Sequence, residues 1–416
     1  MSMQLNTVVG IEAMNVYCGI AQISVEVMFQ GRGLDFKRMN NLGMQNRAIN
    51  LPFEDPITNA VNAAKPIIDN LTADEVAQIE ILVVASESGI DMSKSISSYV
   101  HRHLGLANTC RLLEVKQACF ASTAAIQLAV GYLASGISSN AKVMVIGTDV
   151  AIVNARAEYM EPTVGAGSSA LLLSNNPKIA QFDLGAFGLH SFEVLDSARP
   201  TAQHEIADVD GSLFVYLDCL SKSFENYKSK VTGADFLNTF NHLAFHTPFA
   251  GLVKSAHKKM LREAGIADVA LVSEDFERRL TPSLHYPSMV GNLCSASVYL
   301  ALASTIDHIH VNDVDRVGLF SYGSGCSSEF FSLLLSRDSK NHLKPMQIGD
   351  YLSARTELSF AEYESLLEEN LQCLVPVENR QLAVSKYQHL LDRVSKRRKI
   401  LVLDNITDYY RNYIWI

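Results

Sequence analysis

The chain has 416 residues, 48% hydrophobic and 19% charged, enough to bury a large core and to build two domain-sized halves. Its formal net charge of −9 argues against generic nucleic-acid binding, whose affinity comes from Lys and Arg neutralising phosphates. No basic leader with an apolar stretch opens the sequence, and no uninterrupted apolar run approaches the roughly 20 residues that cross a bilayer, so a cytosolic (cytoplasmic) protein without membrane contact is expected.

Short apolar runs bounded by turn residues alternate with helix-period stretches, the pattern of an α/β protein whose sheets lie between helices. In chain order the spacing predicts strands at 81–85, 111–115, 142–147 and 170–173, with a helix rich in Ala, Ser and Thr at about 118–133. Residues 182–207 break periodicity and are expected to cross the surface. Beyond them, strands are predicted at 242–245, 316–321 and 330–335, and a second small-residue helix at 292–306. The charged stretch 338–344 reads as a loop, 360–399 as one or two amphipathic helices, and 400–403 as a strand.

The two parts look alike. Cys119 heads the first small-residue helix and Asn292 the second, and Val145 follows Cys119 at the separation by which Gly318 follows Asn292. Glu87 ends one strand and His246 its counterpart. Such a repeat implies two halves, residues 1–180 and 181–416, related by a pseudo-twofold, with one active site where they meet.

The seven cysteines, Cys18, Cys110, Cys119, Cys219, Cys294, Cys326 and Cys373, contain no Cys-x-x-Cys pair, so neither a disulfide framework nor a metal site is indicated. Most are expected to be small core hydrophobes. Cys119 is different, because a strand ends and a helix begins around Gln117-Ala118-Cys119. The free N–H groups and dipole of a helix start are expected to lower its thiol pKa and make it a nucleophile, although a buried structural cysteine is the plainer reading.

Residues 81–85 drive an apolar strand into Glu87, where desolvation raises a carboxyl pKa toward a value useful for acid–base work; a capping carboxylate is the alternative. His246, in Phe245-His246-Thr247-Pro248-Phe249, can polarise a ketone or serve as a structural histidine. Gly291-Asn292 and Ser321-Tyr322-Gly323-Ser324-Gly325 let backbone approach a ligand or simply turn the chain. Neither glycine cluster fits a nucleotide-binding fingerprint, so no tightly bound cofactor is expected.

Together these segments resemble the 3-hydroxy-3-methylglutaryl (HMG) synthases of the thiolase superfamily, over nearly the whole chain. The matching motifs are Ser86-Glu87-Ser88-Gly89-Ile90-Asp91, Gln117-Ala118-Cys119, Phe245-His246-Thr247-Pro248-Phe249, Gly291-Asn292 and Phe320-Ser321-Tyr322-Gly323-Ser324-Gly325. The resemblance implies a thiolase-like α/β fold, a homodimer, and a condensing acyltransferase. It implies that Cys119 accepts an acetyl group, Glu87 removes a proton from its methyl, and the carbanion attacks the β-ketone of a second thioester. His246 would polarise that ketone, Asn292 would position the acceptor, and the backbone N–H groups of Cys119 and Ser324 would hold the thioester oxygen. Asp91, Asp149 and Asp196 match acidic positions of the family, as proton-network or structural groups. Glu87 distinguishes this chemistry from that of ketoacyl synthases, which obtain a carbanion by decarboxylation and need no such base.

Two departures bear on substrate. Phe120-Ala121-Ser122 stands where many members have Tyr-Gly-Gly, so a phenolic hydroxyl is absent. Members that use coenzyme A carry basic residues after the histidine motif; here two of those positions are Gly251 and Ser255, with Lys254 and Lys258 nearby. A charge-assisted hydrogen bond to phosphate is worth roughly 1.5–3 kcal/mol, so the absence of two such cations weakens binding of free coenzyme A. The first 60 residues, including Gly10-Ile11-Glu12-Ala13 and Leu51-Pro52-Phe53-Glu54-Asp55-Pro56, also look like the bacterial polyketide branch that installs β-branches on carrier-bound chains. Donor and acceptor acyl carrier proteins, which present thioesters on phosphopantetheine, are therefore the expected partners. Arg32, Lys37 and Arg38 form a candidate dock for an acidic carrier, and Lys396-Arg397-Arg398-Lys399 is a second basic cluster; solvated surface charge is the alternative for both. The competing functions are an HMG-CoA synthase of the mevalonate pathway and a non-catalytic carrier-binding subunit.

Overall fold

A computed structural model of the chain describes residues 8–150, 158–395 and 398–416. Strand Gly10–Tyr17 lies at the middle of the main sheet, followed outward by Gly167–Ser174, Lys142–Asp149 and Ile79–Ala85, with Arg111–Val115 at the edge. On the other side Ala180–Ser191 is followed by Ser327–Ser336, Val314–Gly323 and His242–Phe245. The two sequences of strands repeat one plan. In each, the last two strands form an antiparallel pair, and the strand ending in the polar corner runs parallel to its neighbour. The two halves of the sheet join where Gly10 and Ile11 pair with Gln181 and Ala180.

Five layers result. The helices Ala121–Ser135 and Ser297–His308 share one apolar core with the inner faces of both sheets, through residues such as Ala125, Ala129, Leu300, Val145 and Leu319. Helix Pro56–Asp69 covers the outer face of the first sheet, and helices Val209–Lys230 and Ala250–Glu263 cover the second. Small residues in the central helices follow from close approach: a Cβ on Gly147 would stand 2.3 Å from Ser122 Oγ and 3.2 Å from the Ala296 backbone. Ala118–Ser135 has the length and apolar composition of a membrane span, but half of it is buried in this central layer.

Three sequence expectations need correction. Residues 182–207 are not a surface crossing: Ala180–Ser191 is a central strand, and Ser197–Thr201 and His204–Ala207 form a hairpin. Gly188 hides the strand signal, because helix Val209–Lys230 crosses so closely that a Cβ there would lie 2.1 Å from Ser223 O. The stretch 338–344 contains the short helix Ser339–Leu343. The second central helix begins at Ser297, after a 3-10 turn, so Asn292 stands before the helix and not at its head.

After helices Phe360–Leu371 and Gln388–Ser395, strands Leu401–Thr407 and Tyr410–Trp415 fold back onto the first half. Leu403 N–H donates to Phe53 O at 2.9 Å, and Asn62 both donates to and accepts from the Leu401 backbone. Asp55 fixes the contact: one oxygen caps helix Pro56–Asp69 through the Ile57 and Thr58 N–H groups, and the other accepts from Arg411 at 2.9 Å and Tyr413 at 2.8 Å. The Asp55 side chain is fully buried. Arg411→Met, which strands that carboxylate, is predicted to cost about 3–5 kcal/mol in chemical denaturation. The double variant Asp55→Asn/Arg411→Met is predicted to lose less, because no unpaired charge remains.

Candidate active site

Strand Arg111–Val115 delivers the chain into a tight turn, and Ala118 takes a left-handed backbone conformation (φ 44°) that L side chains rarely adopt. The turn presents Cys119 just before Phe120, the N-cap of helix Ala121–Ser135. Glu87, two residues past strand Ile79–Ala85, places Oε2 3.9 Å from Cys119 Sγ. Its other oxygen lies 3.4 Å from the Arg199 guanidinium, which also reaches Glu205 at 3.6 Å. Burial, with the charges of Asp149 and Glu205, pushes the Glu87 carboxyl up to about 7 against the opposing pull of Arg199. Glu87 thus titrates where a general base is useful.

The thiol departs from expectation. A hydrogen bond from Cys294 is the largest single influence on Cys119 and favours its thiolate, but burial and the charges of Glu87, Asp149 and Glu205 outweigh it and raise the thiol pKa. The helix start is therefore overridden by burial and the surrounding carboxylates, and resting Cys119 is a neutral thiol.

Asp149, at the end of strand Lys142–Asp149, joins the halves. One of its oxygens accepts from Ser86 Oγ, Glu87 N–H and Ser88 Oγ at 2.9–3.1 Å. The other accepts from the N–H and hydroxyl of Ser295. Asn292 is pinned by its own N–H to Thr163 O at 2.8 Å, while its side-chain oxygen accepts the Cys294 N–H at 2.9 Å. Cys294 is held left-handed (φ 49°), with its thiol beside Glu87 and Cys119.

His246 follows strand His242–Phe245, and its N–H donates to Phe320 O at 2.7 Å. Tyr216 Oη donates to the His246 carbonyl at 2.7 Å. The residue is 2% exposed, and its Nδ1 has no hydrogen-bond partner among the described residues, as is true of His242 and His257, whose Nε2 atoms pair with Asp315 and Asp275. Burial brings its pKa down to about 3, so the imidazole is neutral. Asp196 organises the glycine-containing loop, accepting from Tyr322 Oη and from Gly325 N–H at 2.9 Å. That loop abuts the nucleophile turn: Gln117 Nε2 donates to Ser324 O at 3.5 Å, and a Cβ on Gly323 would lie 2.5 Å from Phe120 N. Phe120 itself is buried, and Ser122 Oγ is buried without a partner among the described residues.

Other expected residues stand apart from this cluster. Asp91 is exposed, and its carboxylate accepts the Ser93 and Lys94 N–H groups of its own turn, which lower its pKa. Lys254 is exposed on helix Ala250–Glu263, its ammonium 5.5 Å from the Phe276 ring centre. Arg32 is not a free docking cation: it pairs with Glu161 through two nitrogens and with Glu364. Arg38 lies over the Tyr159 ring, and both it and Lys37 are exposed. Lys396 and Arg397 fall outside the described residues, and Arg398 is not solvated surface charge, since it stacks on Tyr17 and Tyr351.

Sequence reasoning missed Arg199, Glu205 and Cys294. The first two lie on the hairpin read as a surface crossing, and no local spacing links Cys294 to Cys119; only two cysteines following matched polar corners hinted at a meeting.

Residues 6–178 match the family model for the hydroxymethylglutaryl-coenzyme A synthase N terminal region and 262–412 the model for the C terminal region. Bacillus subtilis PksG, a polyketide biosynthesis 3-hydroxy-3-methylglutaryl-ACP synthase, is 41% identical, covering 98% of this chain and 99% of the relative. Hydroxymethylglutaryl-CoA synthase of Enterococcus faecalis is 32% identical, covering 87% and 92%. The fold superposes on the curacin biosynthetic pathway HMG synthase in complex with holo donor-ACP with TM-score 0.96, at 41% identity over 98% of this chain and 100% of that one. The thiolase-like architecture and the motif resemblance agree with these matches: the chain belongs to the hydroxymethylglutaryl-coenzyme A synthase family.

Proposed function

We propose that this acyltransferase joins a Cys119-bound acetyl group to the β-ketone of an acetoacetyl or other β-ketoacyl thioester on an acyl carrier protein, giving an HMG-type β-branch in polyketide biosynthesis. The observation that carries the chemistry is the 3.9 Å approach of a carboxyl titrating at about 7 to a thiol at the meeting of the two halves. Acetyl transfer forms the Cys119 thioester, and the thiol proton leaves with the donor's phosphopantetheine sulfur. Glu87 then takes a methyl proton, the carbon attacks the acceptor ketone, and the resulting alkoxide takes a proton from water, to which Glu87 returns the one it gained. Neutral His246 serves that oxygen as a hydrogen-bond donor, not as an imidazolium acid. Backbone N–H groups of Cys119 and Ser324, on adjoining turns, steady the thioester oxygen. With its oxygen engaged by Cys294, Asn292 has its amide NH2 left to position the acceptor. Water finally cleaves the Cys119 thioester.

Carrier-bound substrates are favoured over free coenzyme A by a steric observation. A Cβ on Gly251 would lie 1.8 Å from Asn41 O, so a basic side chain cannot be placed there without moving backbone. The similarity to PksG and to the curacin enzyme, solved with holo and acetyl donor-ACP, supports the same reading. Lys37 and, in part, Arg38 remain as cations for an acidic carrier, with Arg32 ordering the segment through its ion pairs. The enzyme works as a cytoplasmic homodimer, a reading suited to the open edge of strand Arg111–Val115, where Leu113 is 49% exposed. Similarity to the Enterococcus faecalis enzyme favours a second reading, HMG-CoA synthesis from acetyl-CoA and acetoacetyl-CoA.

Intact-mass measurement after incubation with acetyl-donor carrier protein is expected to show one acetyl adduct on the wild type and none on Cys119→Ala; adducts on both would place the nucleophile elsewhere. Turnover of acetoacetyl-carrier protein is predicted to exceed that of acetoacetyl-CoA by roughly tenfold or more, because Gly251 and Ser255 offer no cation to the coenzyme's phosphates. Equal rates favour the second reading. Because a raised carboxyl pKa leaves the base protonated below it, kcat is predicted to fall as pH drops through about 7. Arg199→Met, which removes the opposing cation, is predicted to move that inflection upward by roughly one pH unit; an unmoved profile would limit Arg199 to holding the hairpin.

A further inference from the structure

Glu87, Cys119 and Cys294 offer one carboxylate oxygen and two sulfurs that all lie within 4.8 Å of one another. The reaction uses two of these groups, and the Cys294 thiol serves it only through its hydrogen bond to Cys119. Its placement is specific. A left-handed backbone at Cys294, fixed by the hydrogen bond from its N–H to Asn292, turns the side chain toward the nucleophile. Glu87 is held in turn by its N–H bond to Asp149 and by Arg199 on the oxygen that faces away from Cys119. The oxygen facing Cys119 stays available.

We propose that Glu87, Cys119 and Cys294 form a binding site for a thiophilic divalent cation, with zinc as the representative ion, in the resting enzyme. Zinc takes cysteine sulfur at about 2.3 Å and carboxylate oxygen at about 2.0–2.2 Å, and three protein ligands with a water complete a tetrahedron. Ligand atoms on such a tetrahedron stand about 3.5–4 Å apart, so only a small inward movement of the three side chains is required. The electrostatics favour a cation. Glu87 is itself a ligand, and Asp149 and Glu205 add negative charge to the site, with Arg199 as the opposing charge on Glu87. Binding exchanges protons for metal: each thiol releases one proton as its sulfur–metal bond forms, and Glu87 releases one where it is protonated. No electron is transferred. Since the same Cys119 sulfur carries the acetyl group, metal and acetyl exclude each other.

The test reads metal directly and does not depend on turnover, so its failure is distinct from failure of the condensing function. Reduced full-length protein, freed of metal, is titrated with Co2+ and followed by its absorption, then challenged with Zn2+. One equivalent of Co2+ is expected, with a sulfur-to-cobalt charge-transfer band that Zn2+ abolishes. Cys294→Ser, with unchanged thermal unfolding, is expected to weaken binding at least about tenfold and to diminish the band; Cys294→Ala serves if the serine variant fails to fold. Acetylation of Cys119 is expected to prevent binding. A wild type without the band, or a band of equal strength in Cys294→Ser and in acetylated protein, would overturn the assignment.

Discussion

Asp149 is a buried carboxylate whose two oxygens face different halves of the molecule. One gathers Ser86, Glu87 and Ser88 from the corner of the first half, and the other holds Ser295 beside Asn292 and Cys294 in the second. Such a group is costly to bury unless its hydrogen-bonding capacity is met, and here it is met by residues that must then stay together. The distance between Glu87 and Cys119 depends on this arrangement. So does the orientation of the loop that carries the second thiol. The duplicated plan of the sheet brings the two corners to one place; Asp149 fixes them at chemical range.

The same carboxylate shapes the electrostatics. With Glu205 it adds to burial in holding the Glu87 proton, while Arg199 offsets part of that effect. Cys119 feels the same consequence, because burial and negative charge nearby oppose its thiolate despite the adjacent helix start. A neutral thiol next to a carboxyl of pKa about 7 can hand its proton over within the pair when an acyl donor arrives. The raised thiol is therefore compatible with the base, and the enzyme's distinctive step is proton removal from carbon.

The fold class, the repeated strand plan and the corners that carry Glu87, Cys119 and His246 were legible in the sequence because each is a local signal. Apolar runs ending in Glu87 and His246, and a strand–turn–helix passage at Cys119, are visible over short stretches of chain. The hairpin bearing Arg199 and Glu205 was not legible, since its strands are short and largely exposed and the preceding central strand is interrupted by Gly188, which a crossing helix demands. Cys294 was hidden for a different reason: its role follows from a meeting of distant loops. Arg32 was misjudged because a basic residue in sequence gives no sign of the acidic partners, Glu161 and Glu364, that the fold supplies.

In the proposed reaction, the chemistry turns on Glu87 removing a proton from the methyl of an acetyl group already bound to Cys119. That step is tested most directly by acetylating wild type and Glu87→Gln with acetyl-donor carrier protein in D2O, without acceptor, and weighing the cysteine-bound acetyl group. Both proteins are predicted to carry the acetyl adduct, with deuterium entering the methyl only in the wild type. Deuterium uptake at wild-type rate in Glu87→Gln would contradict the assignment of Glu87 as the base.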